Sequence, residues 1–203
     1  MKRVVLIVCL LAIAGTSFAG FSIGFKHTEF PTQVVTYTTG DWGIYLDDMY
    51  LLRFGAMASP QFRLEGLVGY AKESYEIDPS NESYPDYDGS MMAFGGGGYY
   101  VLEMPANTSF SIGLQVLYGT SSYEQGSDNG PDTKVLSVDP LMRIDFAIPG
   151  AERLAFFTEY GIRYAQVTTT WEGTGGADDV DLKWSGYQTY SPANILAGAY
   201  YVF

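Results

Sequence analysis

Ser109-Phe110-Ser111-Ile112-Gly113-Leu114-Gln115-Val116-Leu117-Tyr118-Gly119 is the stretch whose reading decides the fold. Phe110, Ile112, Leu114, Val116 and Tyr118 share one parity, while Ser109, Ser111, Gly113, Gln115 and Gly119 share the other. Period two is the signature of an extended strand, because successive side chains leave opposite faces of the backbone. The two faces here are unlike: one is an aliphatic stripe bracketed by aromatics, the other is small and polar. Aromatic brackets of this kind stand at the interfaces of a strand that crosses a bilayer.

The same parity test succeeds elsewhere along the chain. Phe62, Leu64, Gly66, Val68 and Tyr70 alternate with Arg63, Glu65 and, further on, Glu73. Val138, Pro140, Met142, Ile144 and Phe146 alternate with Asp139, Leu141, Arg143 and Asp145, and Phe156, Thr158, Tyr160, Ile162 and Tyr164 with Glu159, Gly161 and Arg163. Pro140 cannot donate to a ladder, so a bulge is expected there. With further strands at 21–29, 50–57, 91–103 and 190–203, the total is about eight. Short connections at 58–60, 105–108 and 149–152 alternate with longer, acidic ones at 31–48, 78–90, 125–133 and 173–183. Short turns on one side and long loops on the other describe an outer-membrane barrel, with the turns in the periplasm.

The amino terminus reads as an export signal: Lys2 and Arg3, an apolar run from Val4 to Ile13, and a small-x-small site at Ser17-Phe18-Ala19. The run breaks after about ten residues, short of the roughly 17 that a spanning helix needs. The expected division is a cleaved signal peptide at 1–19 and one domain at 20–203. Cys9 leaves with the signal, so the mature chain has no disulfide, thiolate metal site or cysteine nucleophile. Without Lys2 and Arg3, 9 basic residues face 23 acidic ones, a formal charge of −14. Binding to nucleic acid needs clustered cations and is excluded as a function. Hydrophobic residues make up 47% of the chain, with 17 Tyr, 12 Phe and 24 Gly, yet no mature stretch approaches a spanning helix. A barrel whose strands show one face to lipid and the other to a polar lumen reconciles the two. The fold class expected is all-β, an eight-stranded antiparallel transmembrane β-barrel with short periplasmic turns and longer acidic extracellular loops.

Ile195-Leu196-Ala197-Gly198-Ala199-Tyr200-Tyr201-Val202-Phe203, ending in Phe203 with Tyr201 two places before it, resembles the strand by which Gram-negative assembly machinery recognises outer-membrane barrels. The hairpin Leu51-Leu52-Arg53-Phe54-Gly55, Ser59-Pro60 and Phe62-Arg63-Leu64-Glu65-Gly66-Leu67-Val68-Gly69-Tyr70 makes the mature chain resemble the small OmpA/OmpX-like outer-membrane barrel superfamily. That resemblance implies a location in the outer membrane, with barrel-assembly machinery, outer-membrane lipid and lipopolysaccharide as partners. Such barrels include anchors, adhesins, complement-resistance proteins and lipid-modifying enzymes, so the fold does not select the activity.

The inward parity class collects Lys26, Arg53, Arg63, Glu65, Asp139, Arg143, Asp145, Glu159 and Arg163, five basic and four acidic. An eight-stranded barrel is just wide enough for side chains to fill, and buried charges are costly unless paired, so a salt-bridged plug that fixes strand register is expected. His27, the only histidine, shares parity with Phe21, Ile23 and Phe25 and points outward, away from an acyl-transfer arrangement with Ser22, Glu29 or Ser191. Loop carboxylates such as Asp78, Glu82, Asp86, Asp88, Asp128, Asp132, Asp178, Asp179 and Asp181 could meet hard cations, but Asp86-Tyr87-Asp88-Gly89 lacks calcium-loop spacing. Gly95-Gly96-Gly97-Gly98 is followed by no Gly-Lys-Ser/Thr; these glycines allow close approach, the space being filled by neighbouring aromatics. No catalytic group, cofactor or metal is expected. The function expected is a non-enzymatic outer-membrane barrel supporting envelope integrity or surface contact through its acidic loops and an undefined surface ligand. The alternatives are a narrow-pore channel, a lipid-modifying enzyme and a lipocalin-like carrier.

Overall fold

The computed structural model describes residues 20–36, 42–75, 87–104, 107–125, 128–171, 179–189 and 196–203, so the signal segment and the Ser191 position lie outside the described residues. Nine strands are formed: β1 (Ser22–Thr36), β2 (Trp42–Ser59), β3 (Phe62–Tyr75), β4 (Tyr87–Met104), β5 (Thr108–Gln125), β6 (Asp128–Ile148), β7 (Ala151–Trp171), β8 (Val180–Thr189) and β9 (Leu196–Val202). Each pairs antiparallel with its sequence neighbour from β1 to β7. β8 pairs with the later half of β7, and β9 pairs with its earlier half and with β1. β8 and β9 are thus two segments of one wall strand, and the chain closes as an eight-stranded antiparallel β-barrel.

The register fixes the shape. Following partners around the wall, Thr108, Phe146, Phe156, Ala199, Phe25, Leu52, Val68, Phe94 and Tyr118 succeed one another, so one circuit returns to β5 ten residues further on. Eight strands with a shear of ten, at ordinary strand spacings, tilt by about 40° around a backbone radius of about 8 Å. Such an interior holds side chains and little else.

Alternation sorts the side chains as the parity argument requires. Ser111, Gln115, Arg143, Glu159 and Arg163 are buried inside, while Leu64, Met92, Leu102, Ile112, Leu114, Ile144 and Ile162 stand exposed outside. Exposed apolar surface on this scale would be an aggregation hazard in water but is the lipid face of a membrane barrel. Aromatics edge it: Phe62, Tyr100, Phe146, Phe156 and Phe203 towards the turn end, Tyr50, Tyr70 and Tyr187 towards the other. The fold is a transmembrane barrel.

The tight connections share one end. Pro149-Gly150 joins β6 to β7 with Gly150 at φ 82°, and Asn107 takes φ 57° before β5, conformations that glycine and asparagine adopt at least cost. The Phe203 amide donates to the Phe21 carbonyl at 2.9 Å, so both ends of the domain meet there. If that end is periplasmic, a peptide tag placed between Gly126 and Ser127 is expected to be labelled by antibody on intact cells, and one between Pro149 and Gly150 only after permeabilisation. The reverse labelling would invert the topology.

Three sequence readings change. Strands run on through 31–36, 42–48, 87–90, 128–133 and 180–183, all read as loop, because the backbone ladder continues past the segments in which the sequence alternates over a lipid face. The eighth wall strand accordingly begins at Val180, not 190. No bulge forms at Pro140. Its side chain is exposed, it faces Leu114 in regular register, and the β6–β7 pairing breaks at 139–140 and resumes unshifted. The glycine run does what close approach requires: Tyr99 is fully buried, and a Cβ at Gly113 or Gly97 would meet its ring at 2.4 or 3.1 Å.

Candidate functional site: the charged lumen

All nine inward charges lie inside the barrel, none more than 7% exposed. They come from five strands, β1, β2, β3, β6 and β7, and join in one network. Arg143, on β6, sits at its centre: Nη1 lies 2.7 Å from Glu65 Oε1 and 3.5 Å from Glu159 Oε1, and Nη2 lies 2.8 Å from Asp145 Oδ1. Glu65 is also paired with Arg53. Arg63 binds Asp145 in bidentate fashion, at 3.1 and 3.0 Å, the fork geometry that makes arginine suited to buried carboxylates. Ser109 Oγ adds a donor to Asp145 at 3.2 Å.

A second branch leaves through Glu159, which pairs with Lys26 of β1. Lys26 Nζ donates to Gln115 Oε1 at 2.6 Å, and Gln115 Nε2 donates to Asp139 Oδ2 at 3.3 Å. Arg163 closes the branch on Asp139 at 2.9 Å and reaches Thr28 Oγ1 at 3.3 Å. Gln115 therefore joins the two carboxylate clusters. It was assigned to the inward face from sequence, but only the structure shows it as a bridge.

Aromatic rings hold the guanidinium planes. Arg143 lies 3.7 Å from the Phe157 centroid and Arg53 4.3 Å from that of Tyr200. Cation–π attraction gains strength where water is excluded. With Tyr99 from β4, Gln115 from β5 and Tyr200 from β9, every wall strand contributes to this layer. Phe157 and Tyr200 carried no sequence signal, since an inward aromatic has the same periodicity as a lipid-facing one.

The rest of the interior is of different character. One inward step towards the long-connection end, Leu51 follows Arg53, Leu67 follows Glu65, Leu117 follows Gln115 and Ala165 follows Arg163. With Met49, Met91, Ala93, Val135 and Val167 they form a packed apolar cluster, against which Leu182 and Trp184 rest. The lumen is thus charged in the half near the turns and mainly oily in the half near the long connections, with the buried hydroxyls of Thr133 and Thr169 paired at 2.9 Å beyond the apolar cluster, where a polar interior throughout is the sequence expectation. The strands that build the oily half carry paired apolar residues, Leu51-Leu52, Leu67-Val68 and Val116-Leu117-Tyr118, which is the pattern of a strand buried on both faces.

His27 lies outward with its ring 5.2 Å from that of Tyr50, while Ser22 is buried on the opposite face and accepts from Arg53 Nη1 at 3.3 Å. Strand geometry therefore separates the two. Among the described residues, no group of three or more His, Cys, Asp or Glu is placed to hold a metal.

The architecture is that of a small eight-stranded membrane barrel. No family model and no curated protein matches the chain in sequence. Among solved structures, the barrel aligns with Neisserial surface protein A at 14% identity and a TM-score of 0.49, covering 90% of this chain and 97% of that one. It aligns with the outer membrane protein AlkL at 14% identity and a TM-score of 0.48, covering 92% and 90%. A major outer membrane protein from Thermus thermophilus aligns at 13% identity and a TM-score of 0.46, covering 91% and 98%.

Proposed function

We propose that the protein is a non-enzymatic barrel of the outer membrane that supports envelope integrity and presents its acidic long connections to the surroundings. The observation that carries this reading is the filled interior. A charged layer and an apolar layer lie in series along the axis, so the barrel offers neither a reaction chamber nor a wet path. The exposed aliphatic band flanked by aromatics supports residence in a membrane, and spanning by strands with export supports the outer one. Outer-membrane lipid, lipopolysaccharide and the barrel-assembly machinery are the partners this residence entails, with Tyr201 and Phe203 as the assembly signal.

The reading is tested by comparing cells with and without the gene. Loss is expected to raise sensitivity to detergent and to change surface adhesion while leaving the acylation pattern of lipid A intact. A changed acylation pattern, restored by the unmodified gene, would replace it with the lipid-modifying alternative.

A further inference from the structure

β8 stands at an edge of the sheet: it pairs with β7, and among the described residues no strand pairs with its other side. Burial agrees with the pairing. Val167 and Thr169 of β7 are 1% and 0% exposed, while Trp184 and Leu182, which face them across the ladder, are only partly buried. Val180 is 54% exposed, and Asp181 and Lys183 are exposed on the outer face. This stretch lies beyond Tyr187, the last outward aromatic of the strand, and so beyond the lipid. An unpaired edge of this kind is a template for a further strand.

The chemistry of the fitting partner can be read from β8 itself. Cross-strand neighbours share a face, so an antiparallel partner must set outward residues against outward ones. For two copies of β8 this leaves only registers centred on a residue. Centring on Asp181 or on Lys183 sets that charge against itself. Centring on Leu182 sets Asp181 of each copy opposite Lys183 of the other, Leu182 opposite Leu182, and Val180 opposite Trp184. Val180-Asp181-Leu182-Lys183-Trp184 is thus self-complementary in charge on its outer face and apolar on its inner one. A lysine on an edge ordinarily discourages pairing. Here it meets an aspartate of the other copy. Within one chain Asp181 already has Lys183 at 3.4 Å, Thr170 Oγ1 at 2.9 Å and the field of Lys134, exposed contacts that rearrange at little cost.

We infer that the edge of β8 pairs antiparallel with the same edge of a second copy held in a facing membrane. The facing arrangement is geometric. Antiparallel copies of a strand are related by a two-fold axis perpendicular to the sheet, and in a barrel wall that axis lies in the membrane plane. The second barrel therefore points the opposite way. From Tyr187 to Leu182 the strand rises about 13 Å, at about 3.3 Å per residue and a tilt of about 40°, so paired strands hold two membranes about 25 Å apart. A ladder this short falls far below the area of a stable dimer, so each contact is weak and reversible. Many copies on each surface act together, and adhesion between like cells follows from their number. The inference names a partner for the surface contact proposed above and rests on that reading, whose outward display of the long connections the tag labelling tests separately.

The test uses the purified barrel, shown folded by its heat-dependent gel mobility and reconstituted into phosphatidylcholine vesicles whose clustering is followed by light scattering. It does not depend on where the protein resides in the cell. Parent vesicles are expected to cluster reversibly. Asp181→Lys sets lysines against lysines in the pairing of like copies, and Lys183→Asp sets carboxylates against carboxylates. Each variant alone is therefore expected to cluster at least about tenfold less than the parent. A mixture of vesicles carrying one variant with vesicles carrying the other restores both opposite pairs and is expected to cluster as the parent does. The double variant Asp181→Lys with Lys183→Asp is expected to do so alone. Dispersed parent vesicles, single variants that cluster as the parent does, or a mixture no better than its components would each overturn the pairing.

Discussion

Replacing Glu65 with alanine is expected to destabilise the barrel by about 3–5 kcal/mol, read from urea unfolding in detergent or lipid. The magnitude follows from what the carboxylate separates. Arg53, Arg143 and, at 3.9 Å, Arg63 converge on it inside a wall that excludes water. Without it, Asp145 is left to serve Arg63 and Arg143, and Arg53 keeps the Tyr200 ring and the Ser22 hydroxyl. An unpaired buried charge costs several kcal/mol, whereas removing both partners for apolar residues of similar volume is often neutral. Glu65→Leu combined with Arg53→Leu is therefore expected to recover part of the loss. Arg143→Ala and Glu159→Ala belong to the same class of effect. The exposed Lys183–Asp181 pair is the contrast, and Lys183→Ala is expected to cost under about 1 kcal/mol. A Glu65→Ala barrel as stable as its parent would show that the buried network does not hold the wall strands in register.

Deleting Phe203 is expected to lower the amount of assembled barrel in the outer membrane several-fold and to leave protease-sensitive chain in the periplasm. What the structure gives Phe203 is modest: one backbone hydrogen bond to Phe21, and rings 5.9 Å from Phe21 and 5.1 Å from Tyr201. A single such bond contributes about 0.5–1.5 kcal/mol, too little to prevent folding of a barrel with eight paired walls. The purified variant is therefore expected to refold in detergent with nearly normal heat-dependent mobility. Failure in cells with success in detergent separates recognition by assembly machinery from intrinsic stability. Normal yield in cells would remove the assembly role from Phe203 and Tyr201.

The two effects mark what was legible before the structure. Parity alone placed Arg143, Asp145, Glu159 and Arg163 on one face and Ile144, Phe156 and Ile162 on the other, because alternation is a property of each strand taken singly. Strand count followed from the same local signal. Partner choice did not, since it depends on the ten-residue shear that the closed wall imposes, and no residue reports that alone. Gln115 shows the limit: its inward parity was readable, its bridge from Lys26 to Asp139 was not. The oily half of the lumen was missed because Leu51, Leu67 and Leu117 adjoin lipid-facing neighbours, and an apolar pair does not say which member turns inward. Strand ends were missed for the opposite reason. Beyond the lipid, β6 keeps its hydrogen bonds at 128–133 while the sequence there loses the hydrophobic alternation that identifies a strand, whereas β8 keeps that alternation in Val180, Asp181, Leu182, Lys183 and Trp184 and is obscured in the sequence by the acidic residues around it.

Both halves of the lumen bear on a single question, whether anything passes through. Opening a path would have to part the arginine–carboxylate network and unpack the cluster around Leu51, Leu67 and Leu117 together. Each ion pair is tolerable only while both partners remain. The direct measurement is single-channel recording of the purified barrel in a planar bilayer. The filled lumen predicts no steady conductance comparable with that of larger porins, in the parent and at most brief openings in Glu65→Ala. A large, stable, ion-selective conductance in the unmodified protein, changed in selectivity but not in stability by Arg143→Ala or Glu159→Ala, would contradict it.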